Sequence, residues 1–263
     1  MADLDALLDD FAAECADLEQ LVAPLSDAQW HTPTPAPGWS IAHQIGHLAW
    51  TDEIATVAAT DPGEFTRMLT EAGAAALTMV DDVAAEAAEM APADLLRRWR
   101  TGRDGLIAAL RAVPAGTKLP WFGPPMSAAS MTTARLMETW AHGQDVADAL
   151  GARREPTARL RAVAHIGVRT RDFAYVVRGK TPPGGEFRVE LTAPGGGLWT
   201  WGPDTATQRV TGPAVDFCLL TTQRRHPDDL AVHAEGAEAA EWLTLAQAFA
   251  GPGGSGRTAG QFG

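Results

Sequence analysis

The chain has 263 residues, 46% of them hydrophobic and 21% charged, which suits one large or two modest globular domains and excludes a wholly disordered protein. Its 26 glycines and 18 prolines follow no three-residue period, so collagen-like and low-complexity architectures fail as well. The formal net charge is −12, with 8 basic and 22 acidic residues up to position 150 and 13 basic and 11 acidic beyond it, a balance that speaks against nucleic acid as a partner.

No stretch approaches the roughly 20 consecutive apolar residues that span a bilayer, and the N-terminus MADLDALLDD is acidic where a signal peptide is basic. The expectation is a cytoplasmic protein without a membrane partner, present as a monomer or homodimer. Cys15 and Cys218 are the only cysteines, too few for a disulfide framework or a Cys-rich zinc module, so any metal must use histidines and carboxylates. Each lies on an apolar helical stripe with no adjacent base, so neither is a credible nucleophile. Lysine occurs only at Lys118 and Lys180 against many arginines and alanines, a composition typical of a GC-rich bacterial genome.

Leu4, Leu7, Leu8, Phe11, Cys15, Leu18, Leu21 and Val22 recur at three- and four-residue steps, predicting an amphipathic helix that ends before Pro24. The proline-rich stretch 32–38 cannot be helical, and Ser40 is placed to cap a helix from Ile41 to about Ala59. An Ala-rich helical stretch follows from Glu64 to about Met90, and another runs from Pro92 to Pro114. After the proline-rich loop 118–125, a last helix extends from about Ser127 to Leu150 and closes on Gly151. Four or five helices with one apolar stripe each bury those stripes together only as a bundle.

Beyond Gly151 the pattern changes. Thr157 to Arg178 reads as one helix, Phe187 to Leu191 and Leu198 to Trp201 as a hairpin turning at residues 195–197, and Thr207 to Thr211 as a strand. Ala214 to Gln223 reads as a helix, Leu230 to Ala234 as a strand and Ala237 to Phe249 as a helix, an α+β pattern. The expected organisation is a helical bundle over 1–152, an α+β domain over 153–250 and a disordered tail over 251–263. Trp199 and Trp201 share one sheet face, which is more often a core face than a ligand platform.

His43 and His47 stand at i, i+4 on the second long helix, and Glu138 and His142 at i, i+4 on the last bundle helix. Two such pairs on helices that meet in a bundle core can converge three or four donors on one ion. Three ligands and an open position form the catalytic zinc pattern. Histidine pairs on Ala-rich helices are also often solvated or hydrogen-bonded, and the spacing does not choose between His43 and His47.

The stretch from Pro37 through Gly38, Trp39 and His47 to Leu48 resembles the GW-x(7)-HL signature of the DinB-like domain in mycothiol-dependent maleylpyruvate isomerases. The stretch from Glu138 through His142 and Gly143 to Asp145 resembles that family's E-x-x-x-H-G-x-D signature. The resemblance implies metal ligands at His47, Glu138 and His142, with zinc the expected metal and nickel or iron the alternatives. It leaves His43 behind the ligands or against substrate, and Asp145 one turn past His142, where it could orient an imidazole or remain a solvated acid.

The same resemblance extends to a sterol-carrier-like C-terminal domain, in which Arg225, or its neighbour Arg224, aligns with an arginine that faces the metal cleft. That residue would grip a substrate carboxylate, unless the pair simply lies at a helix end favoured by the dipole. Trp121 and Phe122, in the loop before the metal-bearing helix, are the candidate cleft wall for a cosubstrate.

The implied activity is isomerisation or S-transfer on an electrophilic small molecule, anionic where the arginine grips it, with mycothiol as cosubstrate. A thiolate adds to an activated alkene; rotation and elimination give the isomer, while retention gives a thioether. Two other readings use the same residues: a thiol-independent metal hydrolase, lyase or cyclase, and a noncatalytic protein that binds metal or a hydrophobic ligand.

Overall fold

A computed structural model describes residues 3–73, 79–251, 253–254 and 256–262, and the chain divides into two units, Met1–Arg153 and Arg154–Gly263. The first unit is helical: α1 (Leu4–Val22), α2 (Asp27–Trp30), α3 (Ile41–Thr60), α4 (Pro62–Ala72), α5 (Met79–Ala88), α6 (Pro92–Ala112) and α7 (Ala128–Leu150). The short α2 was not foreseen from the sequence. Of the Ala-rich stretch expected to be helical from Glu64 to Met90, residues 74–78 lie outside the described residues, and α4 and α5 flank them.

Helix α1 shows the single buried stripe that its sequence predicts, with Leu8, Phe11, Cys15, Leu18 and Val22 inside. Helices α3 and α7 differ: α3 packs against α4, α5, α6 and α7, and α7 also against α1. Both are buried on nearly every side, including the polar residues Gln44, Thr51 and Asp52 of α3 and Thr132, Arg135, Thr139 and Asp145 of α7. Gly46 makes the α3–α5 approach possible, since a Cβ there would stand 2.6 Å from the Ala87 Cβ. Gly151 ends α7 in the left-handed conformation expected of it, at φ 61°.

One buried ion pair joins α3 to α7. Arg135 Nε donates to Asp52 Oδ1 at 2.9 Å, with side-chain exposures of 2% and 0%. Burial raises the Asp52 carboxyl, while the charge and hydrogen bond of Arg135 pull it down.

The second unit contains α8 (Leu160–Arg169), α9 (Arg171–Val176), β1 (Phe187–Thr192), β2 (Leu198–Trp201), β3 (Gln208–Pro213), α10 (Ala214–Thr221), β4 (His233–Glu235) and α11 (Ala237–Leu245). The strand order is β2-β1-β3-β4, with β1 antiparallel to β2 and parallel to β3, and β3 antiparallel to β4. Val189, Leu191, Val210, Phe217 and Trp242 fill its core, with Trp242 edge-on to both Phe187 and Phe217. A helical bundle and a small mixed α+β unit are thus the fold class that the sequence pattern predicts.

The details depart from expectation in four places. The helix expected over 157–178 is interrupted at Thr170, whose hydroxyl donates to Gln247 O at 2.7 Å. The strand expected over 230–234 is displaced to His233–Glu235, behind a 3₁₀ turn at Pro227–Asp229. The last helix stops at Leu245, and Ala248 N instead donates to Thr221 O at 2.7 Å. Described tail residues, expected to be disordered, are tethered: Gly254 N donates to Gln223 Oε1 at 3.1 Å, and Gly260 N donates to the Asp229 carboxylate at 2.9 and 3.0 Å. Among the described residues no helix is long and apolar enough to cross a membrane.

Removing one partner of the Asp52–Arg135 pair strands a buried charge. Arg135→Met is expected to cost about 3–5 kcal/mol in urea denaturation. A carboxyl raised in the folded state opposes folding increasingly as pH rises past its unfolded value, so the loss should be larger at pH 8 than at pH 5. Adding Asp52→Leu should recover most of it; a loss below about 1 kcal/mol for Arg135→Met alone would show that the pair is not held as described.

Candidate metal centre

His47 projects from α3, and Glu138 and His142 from successive turns of α7. One donor atom from each lies within 4.8 Å of the other two. His142 Nε2 is 3.2 Å and His47 Nε2 3.8 Å from Glu138 Oε2, and the two imidazole centroids are 4.5 Å apart. Both histidines are buried and Glu138 is half-buried.

The protonation of His142 follows from a chain of hydrogen bonds. Thr34 N–H and Thr34 Oγ1–H both donate to the Trp39 carbonyl at 2.8 Å, and that carbonyl can only accept. With its proton so committed, Thr34 Oγ1 accepts from Gln44 Nε2 at 2.9 Å. In this arrangement the amide oxygen of Gln44 faces His142 Nδ1, with which it forms a short hydrogen bond, and Nδ1 carries the proton. In the neutral imidazole this leaves the Nε2 lone pair pointing at a carboxylate oxygen, an arrangement that needs a cation between the two or a proton on Nε2.

Burial alone would raise the Glu138 carboxyl, but the hydrogen bonds and charges of His142 and His47 hold it well below the usual carboxylate range. His47 Nδ1 is buried without a hydrogen-bond partner among the described residues. Tetrahedral zinc with bonds of about 2.0–2.1 Å sets its ligand atoms about 3.3 Å apart; the His142–Glu138 pair stands at 3.2 Å and the His47–Glu138 pair at 3.8 Å, with all three donors within 4.8 Å of one another. Two imidazoles and one carboxylate suit zinc, nickel or iron better than the hard, all-oxygen preferences of magnesium or calcium. The residues fit such an ion.

The other expected site residues take different places. The Ser40 N–H donates to His43 Nδ1 at 3.3 Å, and the Ser40 hydroxyl lies 2.8 Å from the same nitrogen, so His43 supplies the side-chain half of a capping box at the start of α3. Burial lowers its imidazole, in keeping with an accepting Nδ1. Its Nδ1 is thereby engaged at the helix start, and its ring lies 6.3 Å from that of Trp39.

Asp145 is fully buried on α7, but the group that meets His142 Nδ1 is Gln44. Trp121 stacks on Phe65 at 5.8 Å, and Phe122 stands 6.1 Å from Trp50, one turn beyond His47 on α3; Phe122 remains 40% exposed. In the second unit, the Arg225 guanidinium lies 3.8 Å over the Phe262 ring. Cys15 and Cys218 are both fully buried, and burial raises both thiols.

Two residues went unassigned in the sequence. Trp39 stacks on His142 at 5.9 Å and tilts over His47 at 5.5 Å, while its Nε1–H donates to Asp81 Oδ1 at 3.1 Å, walling the donor set with an indole tied to α5. Gln44 is the other. Its signal was the one side-chain amide on α3, three residues before His47.

Comparison with known proteins places this geometry in context. Residues 11–147 match a family model described as the mycothiol maleylpyruvate isomerase N-terminal domain. Residues 183–235, in the unit for which a sterol-carrier-like domain was expected, match a model described as wyosine base formation. Two uncharacterized proteins from two strains of Mycobacterium tuberculosis are each 58% identical over 98% of this chain and 100% of their own length. The crystal structure of a mycothiol-dependent maleylpyruvate isomerase is similar at TM-score 0.61 and 16% identity, covering 89% of this chain and 93% of that one. A mutant of that enzyme is similar at TM-score 0.62 and 18% identity, with the same coverage.

The cap assignment separates His43 from the donor set. His43→Ala should lower stability by about 1 kcal/mol and leave zinc affinity within twofold of the parent. Loss of zinc from the folded variant would return His43 to the metal.

Proposed function

The chain belongs to the mycothiol maleylpyruvate isomerase N-terminal domain family, and on that premise we propose that it is a metal-dependent cytoplasmic enzyme acting on an electrophilic small molecule with mycothiol as cosubstrate. The reaction class is isomerisation or S-transfer, and zinc is the proposed metal. The observation that carries the reading is the convergence of His47, Glu138 and His142, with the Nε2 lone pair of His142 turned toward the Glu138 carboxylate.

His47 and His142 would hold the ion as neutral donors and Glu138 as its negative one, leaving a position for an exogenous ligand. An ion so held supplies Lewis acidity and lowers the pKa of a thiol or water bound to it. The remaining roles belong to the chain. Glu138 offsets part of the cationic charge, Trp39 excludes water from one side of both imidazoles, and Gln44 keeps a proton on His142 Nδ1. Both cysteines are buried, so a reacting sulfur would come from a cosubstrate. Arg225 is the proposed grip for an anionic substrate. The wyosine match contains none of the three donor residues and adds no reaction to this reading.

Protein purified without added metal should carry about one zinc per chain by elemental analysis, and folded Glu138→Ala and His142→Ala variants should carry little, because each loses a donor from a three-donor set. Turnover of candidate electrophiles should then require mycothiol. A parent that stays empty after incubation with zinc would overturn the metal reading; a zinc-loaded parent whose turnover ignores thiol would instead favour the thiol-independent metal enzyme.

A further inference from the structure

Gln44 is a fully buried amide on α3, and its two ends meet different elements. Its nitrogen donates at 2.9 Å to Thr34, which stands in the segment before α3, and its oxygen accepts from His142 Nδ1 on α7. At the far end the Trp39 carbonyl accepts from both Thr34 N–H and Thr34 Oγ1–H, which leaves the Thr34 oxygen free to accept from the amide. Reversing the amide would require the Thr34 hydroxyl to turn from the Trp39 carbonyl to Gln44, leaving that carbonyl with Thr34 N–H alone, and His142 to accept at Nδ1. With the Thr34 hydroxyl on that carbonyl, the relay favours a proton on His142 Nδ1 and leaves Nε2 to face Glu138.

We propose that Gln44, aligned by Thr34, is a positioning residue that holds His142 in the Nδ1–H tautomer and so tightens metal binding at the His47, Glu138 and His142 centre. The tightening rests on the metal reading above; the tautomer does not, because the relay is present without an ion. A hydrogen-bond acceptor behind a ligating imidazole fixes its orientation and raises its basicity, and losing such a partner typically weakens metal binding about 10–100-fold. A glutamine does this without adding charge. Its neutral carbonyl leaves Glu138 as the one anionic donor among the three groups, so the net charge available to the ion's exogenous ligand is unchanged.

The test uses the full chain with zinc alone as probe. Zinc affinity is measured by competition with a chromophoric chelator for the parent, Gln44→Leu, Gln44→Glu and Thr34→Val, with circular dichroism confirming the fold. The His142 tautomer is read separately from imidazole ¹⁵N resonances of the metal-free proteins. Gln44→Leu should bind zinc about 10–100-fold more weakly and lose the Nδ1–H pattern. Gln44→Glu keeps an acceptor and should restore both, whereas a side chain needed only for packing would not discriminate between glutamate and leucine in this way.

Thr34→Val should shift both readouts in the same direction by a smaller factor, and it keeps the test open if Gln44→Leu fails to fold. Zinc affinity within twofold of a zinc-binding parent in both Gln44→Leu and Thr34→Val would overturn the proposal, as would an unprotonated Nδ1 on His142 in the metal-free parent. A parent that fails to bind zinc yet shows Nδ1–H on His142, lost in Gln44→Leu, would overturn the metal reading and keep the positioning role.

Discussion

A carboxylate set against two imidazoles in a half-buried site needs a compensating positive charge, and much else in the first unit follows from that need. Glu138 stays ionised because the two histidines outweigh its burial. The hydrogen-bond relay ending at the Trp39 carbonyl turns the His142 lone pair toward the same carboxylate oxygen. The alternatives are a proton shared among three groups or an ion held by all of them. With neutral imidazoles, only the second satisfies every donor at once, and the fit of the spacing to tetrahedral coordination makes it the economical reading.

Holding three donors in register requires that α3 and α7 cannot slide. Both helices are buried on nearly all sides, so a shift of either would disturb packing all around it. Gly46 lets α5 close on α3, and α5 in turn holds Trp39 through Asp81. The Asp52–Arg135 pair ties α3 to α7 within two turns of the donors, at positions where a broken pair has no water to turn to. The site is accordingly built on rigid helices, with a loop residue, Thr34, serving only to align an amide.

How much was legible in the sequence follows from burial. Helix α1 has one apolar stripe and was read from its periodicity, whereas α3 is buried all round, so its periodicity could not separate His43 from His47. The motif resemblance suggested His47, and the structure shows why His43 stands apart: its Nδ1 is occupied by Ser40 at the helix start. Gln44 was invisible because its role depends on a residue 98 positions away. Asp145 shares a helix face with His142, whereas the amide at His142 Nδ1 comes from the neighbouring helix. In the second unit the strand order was out of reach, since the β1–β3 parallel pairing joins segments separated by a hairpin strand. In the tail, composition cannot register that Asp229 offers its carboxylate to Gly260 N.

The central claim is that His47, Glu138 and His142 hold an ion whose remaining position accepts a thiol. X-ray absorption at the zinc edge, recorded on the zinc-loaded chain before and after mycothiol is added, tests it most directly. The account predicts a shell of nitrogen and oxygen alone at about 2.0–2.1 Å without thiol, joined by one sulfur at about 2.3 Å when thiol is present. A shell that stays free of sulfur at saturating mycothiol would contradict it.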